Sequence, residues 1–294
     1  MSVAGGLPLA VARARIHECE ALQIFTKNAS QWRARPLGNE EIAAFRQAAG
    51  DALIQPIVSH ASYLINIATR NPALRVQSLA ALTEELDRAE ALGLLGVVLH
   101  PGARMAASED EAIELVVGAL ADVLAARPHG KTMILLEHTA GQGTAMGASF
   151  EQIAAMLDGV RNKKRLGVCL DTCHLLASGY DLCSEDGYRE TFDKFEELIG
   201  VDRLEVFHLN DSKKPCQSRV DRHEHIGKGC IGLEPFRRLL NDSRFDHLPM
   251  LIETEKTETR HTMRVAPDPL DMMNLDALRS MRAKPSRRTP PLRI

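Results

Sequence analysis

The chain has 294 residues, of which 45% are hydrophobic and 26% charged, and its formal net charge is −3. This length suits one large core, because a single α/β barrel takes about 250 residues, and the small charge gives no sign of a nucleic-acid partner. No apolar stretch approaches the ~18 residues of a membrane span, and six cysteines without a CxxC pair or a secretory leader predict reduced thiols in a cytoplasmic protein.

Short apolar runs alternate with helical patterns along the chain. Repeated strand–helix alternation predicts a parallel sheet with right-handed crossovers, and nearly continuous apolar runs are typical of strands buried on both faces. In chain order we predict strand 21–28, helix 39–50, strand 55–60, helix 72–92, strand 96–100, helix 108–126, strand 131–137, helix 149–160, strand 165–171, helix 186–200, strand 202–210, helix 233–242, strand 248–254 and helix 268–283.

Seven strands are one fewer than a closed barrel needs. The chain opens with MSVAGGLPLAVARARI, where a helical pattern begins with no strand before it. We therefore predict one α/β barrel domain over residues 1–283 that lacks its first strand. Either the barrel is incomplete at that seam, or the numbered start lies inside a longer chain. The Pro- and Arg-rich segment 284–294 is predicted to be an unstructured tail.

Histidines and carboxylates directly follow six of the apolar runs, and a DRH triplet lies in a later loop. The carboxyl ends of parallel strands meet at one edge, so these side chains are expected to converge. A zinc ion takes about three or four protein ligands, so nine candidates suit two or three ions that share a carboxylate. The imidazole-rich set favours zinc over magnesium, with manganese and iron as alternatives. The candidates are His60, His100, Glu137, Asp171, His174, His208, Asp221, His223 and Glu253.

Each candidate also has a simpler explanation. A single histidine at a strand end is more often a hydrogen-bonded polar residue, and a single aspartate before a helix is more often an N-cap. The repetition over six runs favours the metal interpretation. His138 and His225 lie beside proposed ligands but are taken as ordinary polar residues, and Cys173 as a buried thiol. With three divalent ions and four carboxylates, the site would carry a net charge of about +2, which suits an anionic substrate such as a phosphodiester.

The same stretches resemble endonuclease IV, the zinc-dependent apurinic/apyrimidinic endonuclease family. The resemblance spans about 230 residues in one order, and its motifs are specific in combination. The matching stretches are FTKNASQWRARPL (25–37), HASYLIN (60–66), HPG (100–102), LEHTAGQG (136–143), GVCLDTCH (167–174), HLNDSK (208–213), SRVDRHEHIGKGCIG (218–232) and LIETEK (251–256).

The resemblance implies a TIM-type (β/α)8 barrel with three Zn²⁺ ions at its C-terminal face. Glu137 would bridge the first two ions, and Glu253 would also act as the base beside the attacking hydroxide, so both are candidate catalytic residues. The implied ligands are His60, His100 and Glu137 for the first ion, Glu137, Asp171, His208 and Glu253 for the second, and His174, Asp221 and His223 for the third.

The resemblance also implies a substrate. The family cuts duplex DNA 5′ to an abasic site, leaves a 3′-hydroxyl and a 5′-deoxyribose phosphate, and can trim blocked 3′ ends. The damaged nucleotide must leave the stack, and a missing base makes this easier. We therefore expect abasic duplex DNA as the partner of a monomeric enzyme. Gln31 and Tyr63 match loops that enter the minor groove, and Arg222 could meet a phosphate.

The chain departs from the family at two places. Ser30 stands where the family often has arginine, which removes one expected DNA contact, and Met1 stands about where the family's first strand ends. Two alternatives therefore stay open. One is a metal-dependent sugar isomerase or epimerase on a similar barrel, which would need fewer histidines and one or two ions. The other is a truncated, inactive DNA-binding relative.

Overall fold

Seven parallel strands form one sheet in a computed structural model, which describes residues 1–257 and 265–283. Neighbours in the sheet follow the order of the chain, β1-β2-β3-β4-β5-β6-β9, and β7 and β8 form a separate antiparallel ribbon. The strands are β1 (Leu22–Ile24), β2 (Ile57–His60), β3 (Gly96–Leu99), β4 (Met133–Glu137), β5 (Leu166–Asp171), β6 (Leu204–His208), β7 (Asp211–Ser212), β8 (His223–Glu224) and β9 (Met250–Leu251).

Helices occupy the crossovers between these strands. Each β-to-β connection of the barrel therefore returns the chain to the same end of the sheet, which brings the carboxyl ends of all the strands together. The helices are α1 (Leu7–Ile16), α2 (Asn39–Ala52), α3 (Pro72–Leu92), α4 (Glu109–Ala125), α5 (Phe150–Asp158), α6 (Thr172–Ser178), α7 (Glu185–Leu198), α8 (Leu233–Leu240) and α9 (Pro269–Met281).

The predicted barrel with one strand fewer than eight is confirmed. Helix α1 precedes β1, so the seam lies between β1 and β9, the two edge strands of the sheet. Side chains bridge this seam at its carboxyl end, where Gln23 Nε2 donates a hydrogen bond to Glu253 Oε1 at 2.5 Å. The ammonium group of Met1 donates to the carbonyl of Gln23 at 2.6 Å and lies along the edge of β1.

Apolar side chains fill both faces of the sheet. The larger cluster lies between the strands and the helices and includes the fully buried rings of Phe150, Phe195 and Phe207. A smaller cluster fills the barrel interior, with one residue from each strand of the seven-stranded sheet except β1. Its members are Val58, Val98, Leu135, Cys169, Val206 and Leu251. Burial on both faces explains why the sequence shows apolar runs rather than alternation.

Several strands are shorter than the apolar runs that predicted them. The run 21–28 yields only β1, because Thr26 and Lys27 leave the sheet and bond to Glu85 and Glu84 of α3. The run 248–254 yields only β9, an edge strand paired with β6 alone. The predicted strand 202–210 begins later, because Val201–Arg203 forms a 3₁₀ turn.

Two further points follow from the described residues. Helix α6 was not predicted, and it begins directly after Asp171, which caps it. The predicted tail, 284–294, lies outside the described residues, and so does segment 258–264. Among the helices that can be described, none is both long and apolar enough to cross a membrane.

The aromatic cluster behind β6 provides a test of the packing. Phe207 is fully buried, and its ring centroid lies 5.0 Å from that of Phe245 and 6.2 Å from that of Phe192. We expect Phe207→Ala to lower the free energy of unfolding by about 3–5 kcal/mol, because the cavity would not collapse fully. Chemical denaturation measures this change. Leu53→Ala is the control, since Leu53 is 85% exposed and its truncation should cost less than ~0.5 kcal/mol.

Candidate metal centre

Six of the nine predicted ligands lie two residues beyond the apolar residues that fill the barrel interior. Side chains two residues apart on a strand face the same way, so these ligands also project into the barrel, at its carboxyl end. The pairs are Val58 and His60, Val98 and His100, Leu135 and Glu137, Cys169 and Asp171, Val206 and His208, and Leu251 and Glu253.

Glu137 lies at the centre of this layer and is fully buried. Its Oε2 atom lies 3.1 Å from Nε2 of His60 and 3.0 Å from Nε2 of His100. Its Oε1 atom lies 3.0 Å from Nδ1 of His208. The carboxylate therefore faces two groups of imidazoles with separate oxygens, which is the arrangement that a bridging ligand requires.

A second group surrounds the imidazole of His208. Its Nδ1 atom lies 3.3 Å from Glu253 Oε2 and 3.9 Å from Asp171 Oδ2. Ligand atoms of Glu137, Asp171, His208 and Glu253 all lie within 4.8 Å of one another, and so do those of His60, His100 and Glu137. Both groups coincide with the ligand sets that the sequence resemblance implies, and the ligand roles themselves stay predictions.

Asp171 serves as an N-cap and also faces the candidate site. Its Oδ1 atom accepts hydrogen bonds from the backbone N–H groups of Cys173 and His174, at 2.7 and 3.1 Å. Its Oδ2 atom accepts from Asn210 Nδ2 at 2.6 Å and lies 3.6 Å from His223 Nε2. The two explanations of Asp171 are thus compatible, because each uses a different oxygen.

The third predicted set is less compact. Asp221 places Oδ2 3.1 Å from His174 Nε2 and Oδ1 3.3 Å from His223 Nε2. Both of these ring nitrogens are buried and have no hydrogen bond of good geometry among the described residues. Asp171, His174 and His223 form one group with ligand atoms within 4.8 Å, and Cys173, Asp221 and His223 form another. Buried nitrogens without hydrogen bonds facing carboxylates fit a cation at this position.

Four of the imidazoles also have their second ring nitrogen fixed, and the longest of these bonds runs from His223 Nδ1 to the Glu253 carbonyl at 3.4 Å. Each of these nitrogens bonds to a carbonyl oxygen, which can only accept, so the nitrogen carries the proton and its partner is left to face the carboxylates. Metal-binding histidines in proteins are usually oriented in this way. The three shorter bonds run from His60 Nδ1 to the Ala61 carbonyl at 2.7 Å, from His174 Nδ1 to the His138 carbonyl at 2.8 Å and from His208 Nε2 to Gln23 Oε1 at 2.8 Å.

Two amide side chains that sequence reasoning missed hold this arrangement together. Gln23 accepts from His208 and donates to Glu253, and the acceptor-only carboxylate fixes which way the amide points. Asn210 donates to Asp171, and its Oδ1 accepts from the backbone N–H of Glu253 at 2.8 Å. Gln23 is the polar residue of the three-residue strand β1, and Asn210 follows His208 by two positions. Those placements were the available signals.

The charges of the site are strongly coupled. Burial alone would raise the pKa of Glu137, but His100 and His208 hold it well below its ordinary value. Burial likewise opposes ionisation of Asp221, yet His174 and His223 lower its pKa. Glu137 and Asp221 are therefore ionised at neutral pH and attract cations. The donor set of five imidazoles and four carboxylates fits zinc or a similar divalent ion.

Two thiols close to the set do not change this conclusion. Cys169 groups with Glu137 and His208, and Cys173 groups with Asp221 and His223. Burial raises the pKa of each thiol to about 12, so both are protonated near neutral pH. A thiol is a poor ligand compared with a thiolate, which agrees with the interpretation of Cys173 as a buried thiol.

The two histidines set aside from the sequence are not ligands in this geometry. His138 is buried, and its ring packs against Phe150 and Tyr180 at centroid distances of 5.5 and 5.4 Å. Burial lowers its pKa to about 3, so the ring is neutral. His225 lies 3.0 Å from Asn274 through its Nδ1 atom. Neither ring joins the groups of candidate ligands found among the described residues.

An open pocket of about 220 Å³ adjoins the first group of ligands, and His60, His100, Tyr63 and Asp221 contribute to its lining. The Tyr63 side chain is 60% exposed, and its ring centroid lies 5.1 Å from that of His60 and 6.0 Å from that of His100. A bulky, exposed aromatic side chain therefore lies next to the candidate metal ligands, at the edge of this pocket.

The other predicted DNA contacts lie on loops at the same end of the barrel. Gln31 is exposed on the loop between β1 and α2, and Arg222 is exposed beside Asp221 and donates to its carbonyl at 2.6 Å. The neighbouring Trp32 is partly buried, and its side chain packs against the main core. The DNA-binding roles of Gln31, Tyr63 and Arg222 stay predictions.

Comparison with known proteins gives consistent matches over nearly the whole chain. The model of the xylose isomerase-like TIM barrel family matches residues 11–276. A probable endonuclease 4 from Chloroflexus aurantiacus is 46% identical over 281 residues, which is 96% of each chain. A probable endonuclease 4 from Geobacter sulfurreducens is 45% identical, and the match covers 96% of this chain and 92% of the Geobacter protein. The crystal structure of endonuclease IV from Thermus thermophilus superposes with a TM-score of 0.82 at 34% identity, covering 96% of both chains.

Gln23 provides a test of how the site is held. We expect Gln23→Leu to weaken zinc binding about 10- to 100-fold, because it removes the hydrogen bond that orients His208 and the one that orients Glu253. Competition with a coloured chelator measures the affinity. Gln47→Leu is the control, since Gln47 is an exposed residue of α2 that bonds to Asp51. Equal zinc affinity in both variants would contradict the role of Gln23.

Proposed function

The chain belongs to the endonuclease IV family, and from this premise we propose that it cleaves duplex DNA 5′ to abasic sites. It is an apurinic/apyrimidinic endonuclease of DNA repair. The proposed products are a 3′-hydroxyl and a 5′-deoxyribose phosphate, and trimming of blocked 3′ ends is a further proposed activity. The observation that carries the proposal is the convergence of nine histidine and carboxylate side chains at the carboxyl end of one barrel.

We further propose that three zinc ions are the cofactor. His60, His100 and Glu137 would hold the first, Glu137, Asp171, His208 and Glu253 the second, and His174, Asp221 and His223 the third. When bound, zinc acts as a Lewis acid that polarises phosphoryl oxygens and lowers the pKa of water. The protein supports this through its ionised carboxylates and through the backbone and amide bonds that orient the imidazoles.

Glu253 is the proposed general base. Its side chain is 18% exposed, so it lies at the boundary between the buried ligands and the open mouth of the barrel. Gln23 holds one carboxylate oxygen, and Asn210 holds the backbone N–H group of the same residue. Burial raises the pKa of Glu253 and His208 lowers it, with a net value below the ordinary one. The group is therefore ionised at neutral pH and able to accept a proton.

Exposed polar and basic side chains around the mouth are the proposed DNA contacts. Tyr63 and Gln31 would enter the duplex next to the extruded nucleotide, and Arg222 would meet a phosphate. Further exposed cations lie on the same loop as Arg222, which supports a phosphate-binding surface there. These are Lys213, Lys214 and Arg219.

The two alternatives predict different behaviour. A sugar isomerase or epimerase shares the barrel described by the family model, but relatives 45–46% identical to this chain are named as endonucleases. A truncated, inactive relative would bind abasic duplex without cleaving it, and the presence of all six strand-end ligands, Glu137 among them, argues for activity. The measured number of metal ions per chain distinguishes a sugar isomerase or epimerase from the proposed endonuclease, because the former needs one or two ions and the latter three.

Incision of a defined duplex tests the proposal directly. A duplex with one abasic analogue should be cut on its 5′ side by the zinc-loaded protein, and an undamaged duplex should stay intact. Removal of zinc by a chelator should abolish incision, and added zinc should restore it, because the activity depends on the cation. Binding without incision by folded, zinc-loaded protein would instead support the inactive relative.

Substitution of Glu253, the proposed base, should change the rate of the chemical step and the affinity for DNA to different extents. We expect Glu253→Gln to lower the rate of the chemical step by about 10²-fold or more, because the amide cannot accept the proton. Affinity for the abasic duplex should change much less. Single-turnover kinetics and equilibrium binding measure the two effects. Glu255→Gln is the matched control, since Glu255 is exposed two residues further along. A large loss of affinity with a normal rate would contradict the role of Glu253.

A further inference from the structure

The loop between β1 and α2, residues 25–38, has an unusual form of support. Side chains, rather than a neighbouring strand or helix, donate hydrogen bonds to its backbone. The accepting carbonyls recur every three residues, at Thr26, Ala29, Trp32 and Arg35. The bonds run from Arg88 to the Thr26 carbonyl, from Ser62 Oγ to the Ala29 carbonyl at 2.6 Å, from Lys27 Nζ to the Trp32 carbonyl at 3.3 Å and from Arg88 Nη1 to the Arg35 carbonyl at 2.8 Å.

Two of these donors, Arg88 of α3 and Lys27 of the loop itself, belong to a buried ionic cluster between the loop and α3. Arg88 is 8% exposed and Lys27 is 6% exposed, whereas Glu85 is fully buried. Lys27 Nζ lies 2.9 Å from Glu84 Oε2 and 3.7 Å from Glu85 Oε1. Thr26 Oγ1 donates to Glu85 at 2.8 Å and accepts from Arg88 Nε at 3.2 Å. Two cations and two carboxylates thus balance one another beneath the loop.

The opposite side of the loop faces solvent. Ser30, Gln31 and Arg33 are exposed, while the neighbouring carbonyls of Ala29 and Trp32 are tied inwards. Ser62 immediately precedes Tyr63, so its bond to Ala29 also joins this loop to the loop that carries Tyr63. The ionic cluster and the Ser62 bond together therefore fix the two loops relative to each other, and none of these four bonds to the loop comes from a candidate metal ligand.

We propose that Arg88 is a positioning residue for DNA binding, which acts with Lys27, Glu85 and Ser62 to hold these two loops in the conformation that engages abasic duplex. This inference rests on the proposed function. A loop held in its binding conformation loses little conformational freedom on association, so the cluster raises DNA affinity through preorganisation. Lysine cannot replace the guanidinium here, because one ammonium group cannot reach the Thr26 and Arg35 carbonyls with the geometry of a planar fork.

Arg88→Lys tests the proposal, with Arg165→Lys as the matched control. Arg165 also bonds backbone carbonyls, those of Thr132 and Arg127, but beside the amino end of β4 at the opposite end of the barrel. We expect Arg88→Lys to raise KM and the Kd for abasic duplex about tenfold, which equals ~1.4 kcal/mol, with kcat and zinc content unchanged. Arg165→Lys should leave all four quantities near wild type.

A double-mutant cycle shows whether Arg88 acts through the loop. Gln31→Ala should weaken DNA binding in the wild-type background and should weaken it less in the Arg88→Lys background, since the loop is then already displaced. Additive effects would overturn the proposal. If Arg88→Lys does not fold, Ser62→Ala takes its place, since it removes a single hydrogen bond to the loop. This variant should also raise KM.

The outcomes separate this inference from the proposed function. A wild-type protein that does not incise abasic duplex defeats the proposed function. A wild-type protein that incises, together with an Arg88→Lys variant of unchanged KM, defeats only the positioning role. A fall in kcat together with zinc content would also overturn it, because the cluster would then support the metal ligands rather than the DNA-facing loops.

Discussion

The alternation of side chains along parallel strands is the constraint on which the whole site depends. On each strand of the seven-stranded sheet except β1, one residue fills the barrel interior with an apolar group. The residue two positions later places a candidate ligand above it. The apolar layer excludes water from the barrel interior, and the layer of candidate ligands at the carboxyl end of the strands opens towards solvent. Because strand and crossover geometry fix this stacking, six side chains far apart in sequence reach one small volume.

Burial of so many polar groups would be unfavourable if their hydrogen bonds were left unmade. The barrel satisfies the outward side of the site with its own backbone carbonyls and with two amides, Gln23 and Asn210. The inward side is left with imidazole nitrogens that face carboxylates. Gln23 also connects β1 to the segment after β9, so the same hydrogen bonds that orient ligands support the barrel at its seam.

Much of this could be predicted from the sequence, since apolar runs mark buried strands and the residue after each run marks the carboxyl edge. The barrel with one strand fewer, and the meeting of Glu137 with the histidines around it, followed from that logic. Strand ends could not be predicted, because Thr26 and Lys27 leave β1 for tertiary partners on α3. Gln23 and Asn210 were missed because their placement beside the strand ends was the only signal in the sequence, and the hydrogen-bond partners of an amide are known only from the fold.

Support of the β1–α2 loop through its carbonyls has a consequence for divergence among relatives. None of the four inward bonds uses the side chain of Ser30, Gln31 or Arg33. These positions can therefore accept new side chains while the path of the backbone stays the same. The backbone path of the loop thus does not depend on its exposed side chains, so natural selection could change these surface residues one at a time without altering the fold beneath them.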